Sequence, residues 1–463
     1  MKFYNGKVED IKIAYIGGGS RGWAIQLIKD LASEEKLSGT IKLFDTDKSA
    51  ALENEIIGNK ITQSNESKGK WTYKVVETIE EALKESDFII ISILPGTFKE
   101  MAVDVHAPEK YGIYQAVGDT TGPGGMLRAL RTIPIYVEFA EKIKKYSPDA
   151  WVINYTNPMA VCTRILYKIF PEIKAFGCCH EVFSTQELLR AMLKEMKNIE
   201  ADNRDEIMVN VLGINHFTWI DRAVYKHIDL IPLYKEFVDK HYDEGFKNPY
   251  DDKNLNEVFL SSNRVKFDLF KRYGLIAAAG DRHLAEFLPS SWYLKDRDTV
   301  KQWKFLLTPI ETRIKMRNEL NEYRKRIISG EETIELKPSG EEGVRIIKAL
   351  IGMENLTTNV NYPNYGQIKG LPFGVVVESN AIFSRDNIQP LLAGQLTLDV
   401  QNLIIRHSLN HEIIIDASLK KDKKLVLRCM LNDPLINLAP SIVSELLDEM
   451  LSGTKEYLDG WKI

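Results

Sequence analysis

The stretch IKIAYIGGGSRG, residues 11–22, decides the fold of this chain. A short apolar run over residues 11–16 is followed by Gly17, Gly19 and Gly22 in the spacing G-x-G-x-x-G, and a helical pattern begins at residue 23. We expect Gly17 to permit a tight turn, Gly19 to let a pyrophosphate approach the backbone, and Gly22 to let the helix pack against its strand. The first N–H groups of that helix favour phosphate binding. The pattern predicts a dinucleotide site.

The second predicted strand covers residues 41–44 and ends at Asp45. An acidic residue at this place binds both ribose hydroxyls of NAD and repels the 2′-phosphate of NADP. We therefore expect NAD as the cofactor. The alternative is a structural turn followed by an exposed aspartate.

The composition of the chain is that of a globular protein and argues against nucleic-acid-binding, membrane-spanning and disulfide-rich classes. The 463 residues are 44% hydrophobic and 27% charged, which is ordinary for a globular chain, and the formal charge of −4 argues against nucleic acid as a partner. The start of the chain lacks the apolar region of a signal peptide, and no apolar run is long enough to span a bilayer. Four cysteines do not form a disulfide framework. We expect a cytoplasmic protein that does not contact membranes.

The order of the predicted elements indicates an α/β fold. Residues 1–200 alternate strands and helices, which predicts an NAD-binding Rossmann-type domain with a parallel sheet covered on both faces. The pattern changes in residues 201–463, which predict an α+β domain for substrate, metal and oligomerisation, with strands expected near Val375 and near Ile414.

Cys179 and His216 are the candidate metal ligands. Each closes a predicted strand, and the carboxyl ends of strands are where open α/β sheets bind ligands. A thiolate and an imidazole hold a divalent metal with positions left open for substrate, and their softness favours zinc. The alternative is a small buried cysteine and a hydrogen-bonded loop histidine.

Other polar residues allow two interpretations each. Asn154, at the end of a predicted strand, either binds sugar hydroxyls or forms a turn. Asp281 and His283 lie in a short polar cluster that is typical of both loop hydrogen bonding and catalysis. Arg128 and Arg131 share one face of a predicted helix, where they are solvated or contact an anion.

These stretches together resemble glycoside hydrolase family 4, the NAD- and metal-dependent glycosidases. The resemblance covers most of the chain and is carried by the segments IGGGSRGW, VGDTTGPGG, VINYTNPMA, CCHEV, GINHF and AAGDRHLAEFLP. The tetrapeptide from Cys179 to Val182 resembles the sequence found at this place in the branch of the family that acts on uronic acids. The α-galacturonidases of that branch are most similar, followed by the α-glucuronidases.

The resemblance implies an unusual hydrolysis, which is an exception to the two-carboxylate scheme of most glycosidases. NAD⁺ takes a hydride from C3 of the sugar, a base removes the C2 proton, the C1–oxygen bond breaks by elimination, water adds, and the hydride returns. No net redox results. The resemblance also implies Mn²⁺ held by Cys179 and His216, substrate binding by Asn154, and a homodimer or homotetramer. His180, beside the metal cysteine, is expected to be the general acid.

The base is the least obvious residue in this scheme. Relatives that act on phosphorylated sugars use a tyrosine, whereas the corresponding stretch here reads from Gly280 to His283 without one. We expect Asp281 to be the base and Arg282 to bind the carboxylate of the sugar.

Two rival functions come from other classes. The first is a dehydrogenase of the lactate or malate type, whose parallel sheet the first half also resembles, and which would release NADH in step with turnover. The second is an NAD-sensing regulator, which would need neither Cys179 nor Asp281. The glycosidase interpretation requires a small uronic acid glycoside as substrate and no net NADH.

Overall fold

One mixed β-sheet runs through the whole molecule. The computed structural model describes residues 1–250, 261–337 and 339–462, and these residues form fourteen strands of the sheet. The strands are β1 Lys2–Tyr4, β2 Lys7–Ile16, β3 Leu37–Phe44, β4 Lys70–Val75, β5 Phe88–Ile91, β6 Trp151–Asn154, β7 Lys174–Gly177, β8 Ile207–Ile214, β9 Phe217–Tyr225, β10 Ile228–Asp229, β11 Ile276–Ala277, β12 Leu356–Pro363, β13 Val376–Ser384 and β14 Asn387–Pro390.

The helices lie on both faces of this sheet or at its ends. They are α1 Trp23–Ser33, α2 Lys48–Thr62, α3 Ile79–Leu83, α4 Phe98–His106, α5 Gly122–Tyr146, α6 Met159–Ile169, α7 Glu181–Lys197, α8 Leu230–His241, α9 Arg264–Tyr273, α10 Asp281–Glu286, α11 Ser290–Tyr293, α12 Arg297–Gln302, α13 Ile310–Ser329, α14 Gly343–Leu350, α15 Leu398–Lys420, α16 Lys423–Leu431 and α17 Pro440–Gly453.

The N-terminal half of the sheet is parallel and has the order β4-β3-β2-β5-β6-β7. The chain therefore reverses its direction of growth between β2 and β5, and such a switch point is where doubly wound sheets bind dinucleotides. The register pairs Ile16 with both Phe44 and Ile91, and Asn154 with Gly177. The carboxyl ends of five strands consequently meet at one edge, and the predicted α/β fold is confirmed.

Alternation of side chains along the strands divides the core between the two faces. Ile13 and Tyr15 of β2 belong to the core that also contains buried residues of α1, α2 and α14, whereas Ala14 and Ile16 belong to the core that contains those of α5, α6 and α15. Successive residues of a strand point to opposite faces, so a parallel strand with helices on both sides is apolar throughout. The uninterrupted apolar run at residues 11–16 has this cause.

The second half of the sheet is antiparallel. One residue pair, Asn361 with Gly177, joins β12 to β7, and β13, β8, β9 and β10 follow outward. The predicted boundary at residue 200 lies between α7 and β8, and the division into two domains stays a prediction. The strand predicted near Val375 is confirmed as β13, whereas the strand predicted near Ile414 is wrong, because Ile414 lies inside α15 and is buried there. Among the residues described, none of the helices combines the length and apolarity that crossing a bilayer requires.

Candidate active site

The turn between β2 and α1 has the geometry that a nucleotide needs. Gly17 has φ +89°, and a Cβ at this position would lie 2.0 Å from the carbonyl oxygen of Ser92 on the neighbouring strand loop. The amides of Gly17 and Gly18 both donate to the carbonyl oxygen of Phe44 at 2.9 Å. The turn is therefore held tightly against the ends of β3 and β5, and only glycine fits at residue 17.

Gly19 and Asp45 contact each other directly. The amide of Gly19 donates to Oδ2 of Asp45 at 2.8 Å, and a Cβ on Gly19 would lie 2.9 Å from that carboxylate oxygen. The sequence predicts that Gly22 lets the helix pack closely against its strand, but no atom lies within 4 Å of a Cβ built at Gly22, so close packing does not require glycine there. Gly22 is instead the N-cap of α1 and has no capping side chain, so it leaves the approach to the first N–H groups of the helix open. The turn fits a bound pyrophosphate.

Three ligand groups converge beyond the ends of β6 and β7. Atoms of Asp119, His216 and His283 that can bind a metal all lie within 4.8 Å of one another. The two imidazole rings are stacked, with centroids 3.8 Å apart and an angle of 29° between their planes. We call these three residues the ligand cluster.

Local structure explains how the cluster forms from distant segments. His216 has φ +63° in the two-residue turn that joins β8 to β9, which points its ring back over the sheet edge. Oγ1 of Thr120 lies 3.0 Å from Nδ1 of His216, so Nε2 remains available for a ligand. Asp119 stands beside Thr120 in the loop before α5, and His283 lies in the first turn of α10.

The charges around Asp119 keep its carboxyl ionised. Burial alone would raise the pKa of Asp119, but the positive charge of Arg128 is the largest opposing cause, and the pKa lies well below its usual range. The Nε of Arg128 also donates to the carbonyl oxygen of Asn157 at 3.1 Å. Arg128 is thus buried beside an acidic group and is not part of a solvated face, and the same holds for Arg131, which pairs with Asp104.

Both histidines of the cluster favour the neutral form. Burial lowers the pKa of His216 to about 3, and the neighbouring His283 contributes in the same direction. Burial is also the main cause that lowers the pKa of His283. Neutral imidazoles offer lone pairs to a cation.

The three residues of the ligand cluster are suited to bind a divalent cation. Within residues 1–250, 261–337 and 339–462, the buried Nδ1 of His283 has no hydrogen-bond partner, and an orphaned buried nitrogen of this kind is costly unless a ligand binds it. One carboxylate and two imidazoles are suitable donors for a divalent first-row transition metal, and the carboxylate is a donor type that also suits manganese. Asp119 and His283 were not predicted as ligands, although each lies in a segment that the sequence pattern singled out.

Cys179 lies at the same edge but is not a member of the ligand cluster. The Nδ2 of Asn359 donates to the carbonyl oxygen of Cys179 at 3.3 Å and to Glu378 at 2.6 Å, and Asn215 donates to the other oxygen of Glu378 at 3.2 Å. This buried chain connects Cys179 to the residue that precedes His216. Burial, together with the charge of Glu378, raises the pKa of the Cys179 thiol above its ordinary value.

The side chain of His180 contacts Glu341 and Trp23, the first residue of α1. Its Nδ1 lies 3.3 Å from Oε1 of Glu341, and its ring is tilted against the indole of Trp23 at 5.8 Å between centroids. Burial acts to lower the pKa of His180, but Glu341 outweighs it and the pKa rises to about 9. The side chain is 45% exposed, so a proton on His180 is accessible to a ligand.

Glu181, next in sequence, connects His180 to the cluster. Its carboxylate accepts the amide of Gly280 at 2.7 Å and lies 3.6 Å from Nε2 of His283. Burial opposes ionisation of Glu181, but His283 and His216 hold its pKa at about 2. Glu181 therefore orients His283 as a negative partner.

Asp281 is buried at the start of α9, whereas a base would be expected to face the substrate. Its side chain is fully buried, and its Oδ1 accepts the backbone N–H of Lys266 at 3.1 Å at the start of α9. Asn263, the N-cap of α9, makes no capping hydrogen bond with its side chain. Asp281 therefore caps α9, and the residue of this segment that reaches the cluster is His283.

Arg282 and Asn154 also contact protein groups. The guanidinium of Arg282 is 6% exposed and donates to Thr308 and to the carbonyl oxygen of Ala116, and its binding of the carboxylate of a sugar stays a prediction. Asn154 is fully buried, and its amide bonds Thr156 and the hydroxyl of Tyr136. These bonds favour the turn interpretation of Asn154.

Comparisons with known proteins match nearly the whole chain. The model of the family 4 glycosyl hydrolases matches residues 12–195, and the model of the C-terminal domain of that family matches residues 211–436. The alpha-galacturonidase of Thermoanaerobacterium saccharolyticum is 58% identical over 463 residues, which is the full length of both chains.

Solved structures are similar over nearly the whole chain. A crystal structure of a Bacillus subtilis protein named as a glucosidase is 51% identical with a TM-score of 0.91, covering 96% of this chain and 100% of that chain. The 6-phospho-β-glucosidase of Thermotoga maritima, solved with manganese, NAD⁺ and glucose-6-phosphate, is 22% identical with a TM-score of 0.76, covering 96% and 99%. The second likeness concerns the fold alone.

Proposed function

The chain belongs to family 4 of the glycosyl hydrolases, and from that premise we propose that it is an α-galacturonidase that releases galacturonic acid from a small α-linked uronic acid glycoside. One observation carries the choice of substrate. Identity of 58% extends over the full length of an enzyme named alpha-galacturonidase. The ligand cluster and the glycine turn supply the two binding sites that this family's chemistry requires.

Each cofactor has a defined contribution when bound. NAD⁺ accepts a hydride from C3 of the sugar and later returns it, so that no net redox occurs. A divalent metal such as Mn²⁺ stabilises negative charge on the oxygens of C2 and C3 as a Lewis acid. The structural relative from Thermotoga maritima was solved with both manganese and NAD⁺.

The residues of the chain hold these groups at one sheet edge. We assign the pyrophosphate of NAD to the turn at Gly17 and Gly19 and the ribose to Asp45. The metal is assigned to His216, Asp119 and His283, with Cys179 as the soft ligand that the resemblance implies. Thr120 fixes the ring of His216, since its hydroxyl lies 3.0 Å from Nδ1 and leaves Nε2 for the metal.

His180 is assigned as the general acid that protonates the leaving oxygen on C1. Glu341 supports this role because it raises the pKa of His180 to about 9, so the ring carries its proton at neutral pH. Its side chain is 45% exposed, so the leaving oxygen of a bound sugar can approach its proton.

A second copy of the chain is proposed as a partner, in a homodimer or homotetramer. Phe373, Leu392 and Leu398 are 76%, 86% and 76% exposed, and they lie on two segments joined by the bridge between Ile368 and Gly394. Apolar side chains grouped in this way are typical of an interface. Light scattering coupled to gel filtration tests the mass. A cytoplasmic location is also proposed, since a reducing compartment keeps Cys179 as a free thiol.

Hydrolysis of p-nitrophenyl α-D-galacturonide tests the function. We expect turnover that requires added NAD⁺, Mn²⁺ and a thiol reductant, without accumulation of NADH. The glucuronide, which differs at C4, is the matched substrate. Preference for the glucuronide would assign the enzyme to the neighbouring activity, and full activity after removal of NAD⁺ would contradict the mechanism.

A further inference from the structure

One face of α13 carries a row of polar side chains past the glycine turn. The helix belongs to the C-terminal half of the chain, yet it packs on α2 and α4, which follow strands β3 and β5 of the parallel sheet. Arg313, Arg317 and Asn321 follow one another at intervals of four residues, so they share a face and span about 12 Å along the helix. We call these three residues the α13 row.

Both ends of the α13 row are bonded to the N-terminal half of the chain. The Nη2 of Arg313 donates to the carbonyl oxygen of Val117 at 2.7 Å, in the loop that also carries the ligand cluster's carboxylate. At the other end, Oδ1 of Asn321 accepts the Nε of Arg21 at 2.8 Å. Arg21 belongs to the glycine turn, and its Nη2 pairs with Asp47 at 2.8 Å. The row therefore extends from the loop of the ligand cluster to the glycine turn.

Arg317, the middle member of the row, has an uncompensated charge. In the part of the chain that the structure describes, its guanidinium makes no ion pair and no hydrogen bond, and it lies over the ring of Phe98 at 5.2 Å from the centroid. Burial is the main cause that lowers the pKa of Arg317, and the charge of Arg21 acts in the same direction, whereas Asp47 acts against them. Two guanidiniums thus share one carboxylate, which leaves an excess of positive charge.

This positive charge lies at the crevice in which a dinucleotide binds. The crevice is formed by the loops that follow β2 and β5, at the switch point of the parallel sheet. The two loops are adjacent, because a Cβ on Gly17 would lie 2.0 Å from the carbonyl oxygen of Ser92. Arg21 belongs to the first loop, and Phe98, the first residue of α4, follows the second. Arg317 contacts the ring of Phe98 and is close enough to Arg21 to feel its charge, so it is near both walls of the crevice.

We propose that Arg317 binds the pyrophosphate of NAD, so that a helix of the C-terminal half of the chain completes the cofactor site. A planar guanidinium donates two parallel N–H groups to phosphate oxygens, and its position over the ring of Phe98 restricts its freedom before binding. The residues already assigned to NAD, which are Gly17, Gly19 and Asp45, bring no positive side chain to the pyrophosphate. The inference rests on the proposed function in its assignment of NAD to the glycine turn.

Calorimetric titration with NAD⁺, ADP and adenosine tests this contact without turnover. For Arg317→Ala we expect the Kd for NAD⁺ and for ADP to rise at least about tenfold, which is the scale for a hydrogen bond to a charged group. The Kd for adenosine, which has no phosphate, should change less than about twofold. Arg317→Lys keeps the charge but loses the planar guanidinium, so its losses should be smaller than those of Arg317→Ala.

Lys315→Ala is the matched control, because its side chain is 77% exposed on α13 and its removal takes away the same charge. It should bind all three ligands as the unmodified protein does. If Arg317→Ala melts early, Arg317→Gln carries the same expectation.

Three results would overturn the contact: an unchanged Kd for NAD⁺ in the folded variant, an equal loss for adenosine, or an equal loss in Lys315→Ala. Binding of NAD⁺ by an unmodified protein that does not hydrolyse the galacturonide would instead reject the proposed function and leave the contact intact. Failure of the unmodified protein to bind NAD⁺ would reject both.

Discussion

The rings of His216 and His283 stack with their centroids 3.8 Å apart. His216 lies in a hairpin turn and His283 at the start of a helix, and 67 positions separate them in the sequence. Two protonated imidazoles at this separation would repel each other strongly, and burial disfavours the charge on both. Both rings are therefore neutral and face Asp119, which is ionised. A cation satisfies all three groups at once.

Removal of one imidazole ring should weaken the binding of the metal and leave the binding of NAD⁺ unchanged. For His283→Ala we expect Mn²⁺ affinity to fall about 10- to 100-fold, because the metal loses a nitrogen donor or the partner that orients its other ligands. Electron paramagnetic resonance of free Mn²⁺ measures this loss without any turnover. The Kd for NAD⁺, from fluorescence titration, should not change.

His227→Ala is the matched control for that variant, because His227 is exposed in the turn after β9. It should bind Mn²⁺ as the unmodified protein does. Undiminished Mn²⁺ affinity in His283→Ala would mean that the stacked ring serves packing alone.

The neighbouring cysteines allow a second comparison. Cys179 connects through Asn359 and Glu378 to the hairpin that carries His216, whereas Cys178 packs against the core beneath α1 and α14. Cys179→Ala should reduce kcat on p-nitrophenyl galacturonide by at least about 100-fold, since it removes a thiolate ligand, while NAD⁺ still binds. Cys178→Ala should retain activity within about threefold, as expected for a small packing change. Equal losses in the two variants would remove the argument that Cys179 holds the metal.

Asp281→Asn separates a capping role from a catalytic one. Asparagine caps helices about as well as aspartate and keeps the acceptor Oδ1 for the backbone N–H of Lys266, so we expect the free energy of unfolding to change by less than about 1 kcal/mol. Exchange of the C2 hydrogen of the product with deuterated solvent should persist in the folded variant. Loss of that exchange with an unchanged melting temperature would restore Asp281 as the base.

The parts of the fold that sequence predicts are those fixed by local sterics. Gly17 needs a positive φ and has no room for a Cβ, so the turn and the strand before it follow from residues 11–22 alone. The run Ile413, Ile414 and Ile415 indicates a strand by composition, yet it lies in α15, where Ile414 and Ile415 are buried in the core. Tertiary burial overrides the β-propensity of such a run.

The site was predictable at the level of segments and less so at the level of side chains. Asp281, Arg282 and His283 are consecutive in α10, and the helix directs them to different surroundings: the start of α9, the pocket around Thr308, and the ligand cluster. Which of three neighbouring side chains faces a site depends on how the helix is rotated by its packing. A single sequence does not record that rotation.

Asp433 provides a prediction for the dependence of stability on pH. Its Oδ2 accepts the amide of Gly122 at 3.2 Å and the hydroxyl of Thr121 at 3.3 Å, and so holds the end of the loop that carries Asp119. Burial raises the pKa of Asp433 to about 6 from an ordinary value of 3.8. The folded state therefore binds this proton more tightly than the unfolded state, and protonation stabilises the fold.

Because the pKa of Asp433 is higher in the folded than in the unfolded state, its contribution to the free energy of unfolding falls as the pH rises. The stabilisation from Asp433 is complete below about pH 4 and is lost as the pH rises through 6, and the difference of about two pKa units corresponds to roughly 3 kcal/mol. Asp433→Asn cannot titrate, so its free energy of unfolding in urea should rise relative to the unmodified protein between pH 4 and pH 7. Asp298→Asn, at a side chain that is 85% exposed, is the control and should follow the unmodified protein at every pH. A constant difference between Asp433→Asn and the unmodified protein across this range would show that Asp433 stays ionised in the fold, with the amides of Gly122 and Leu435 and the hydroxyl of Thr121 outweighing its burial.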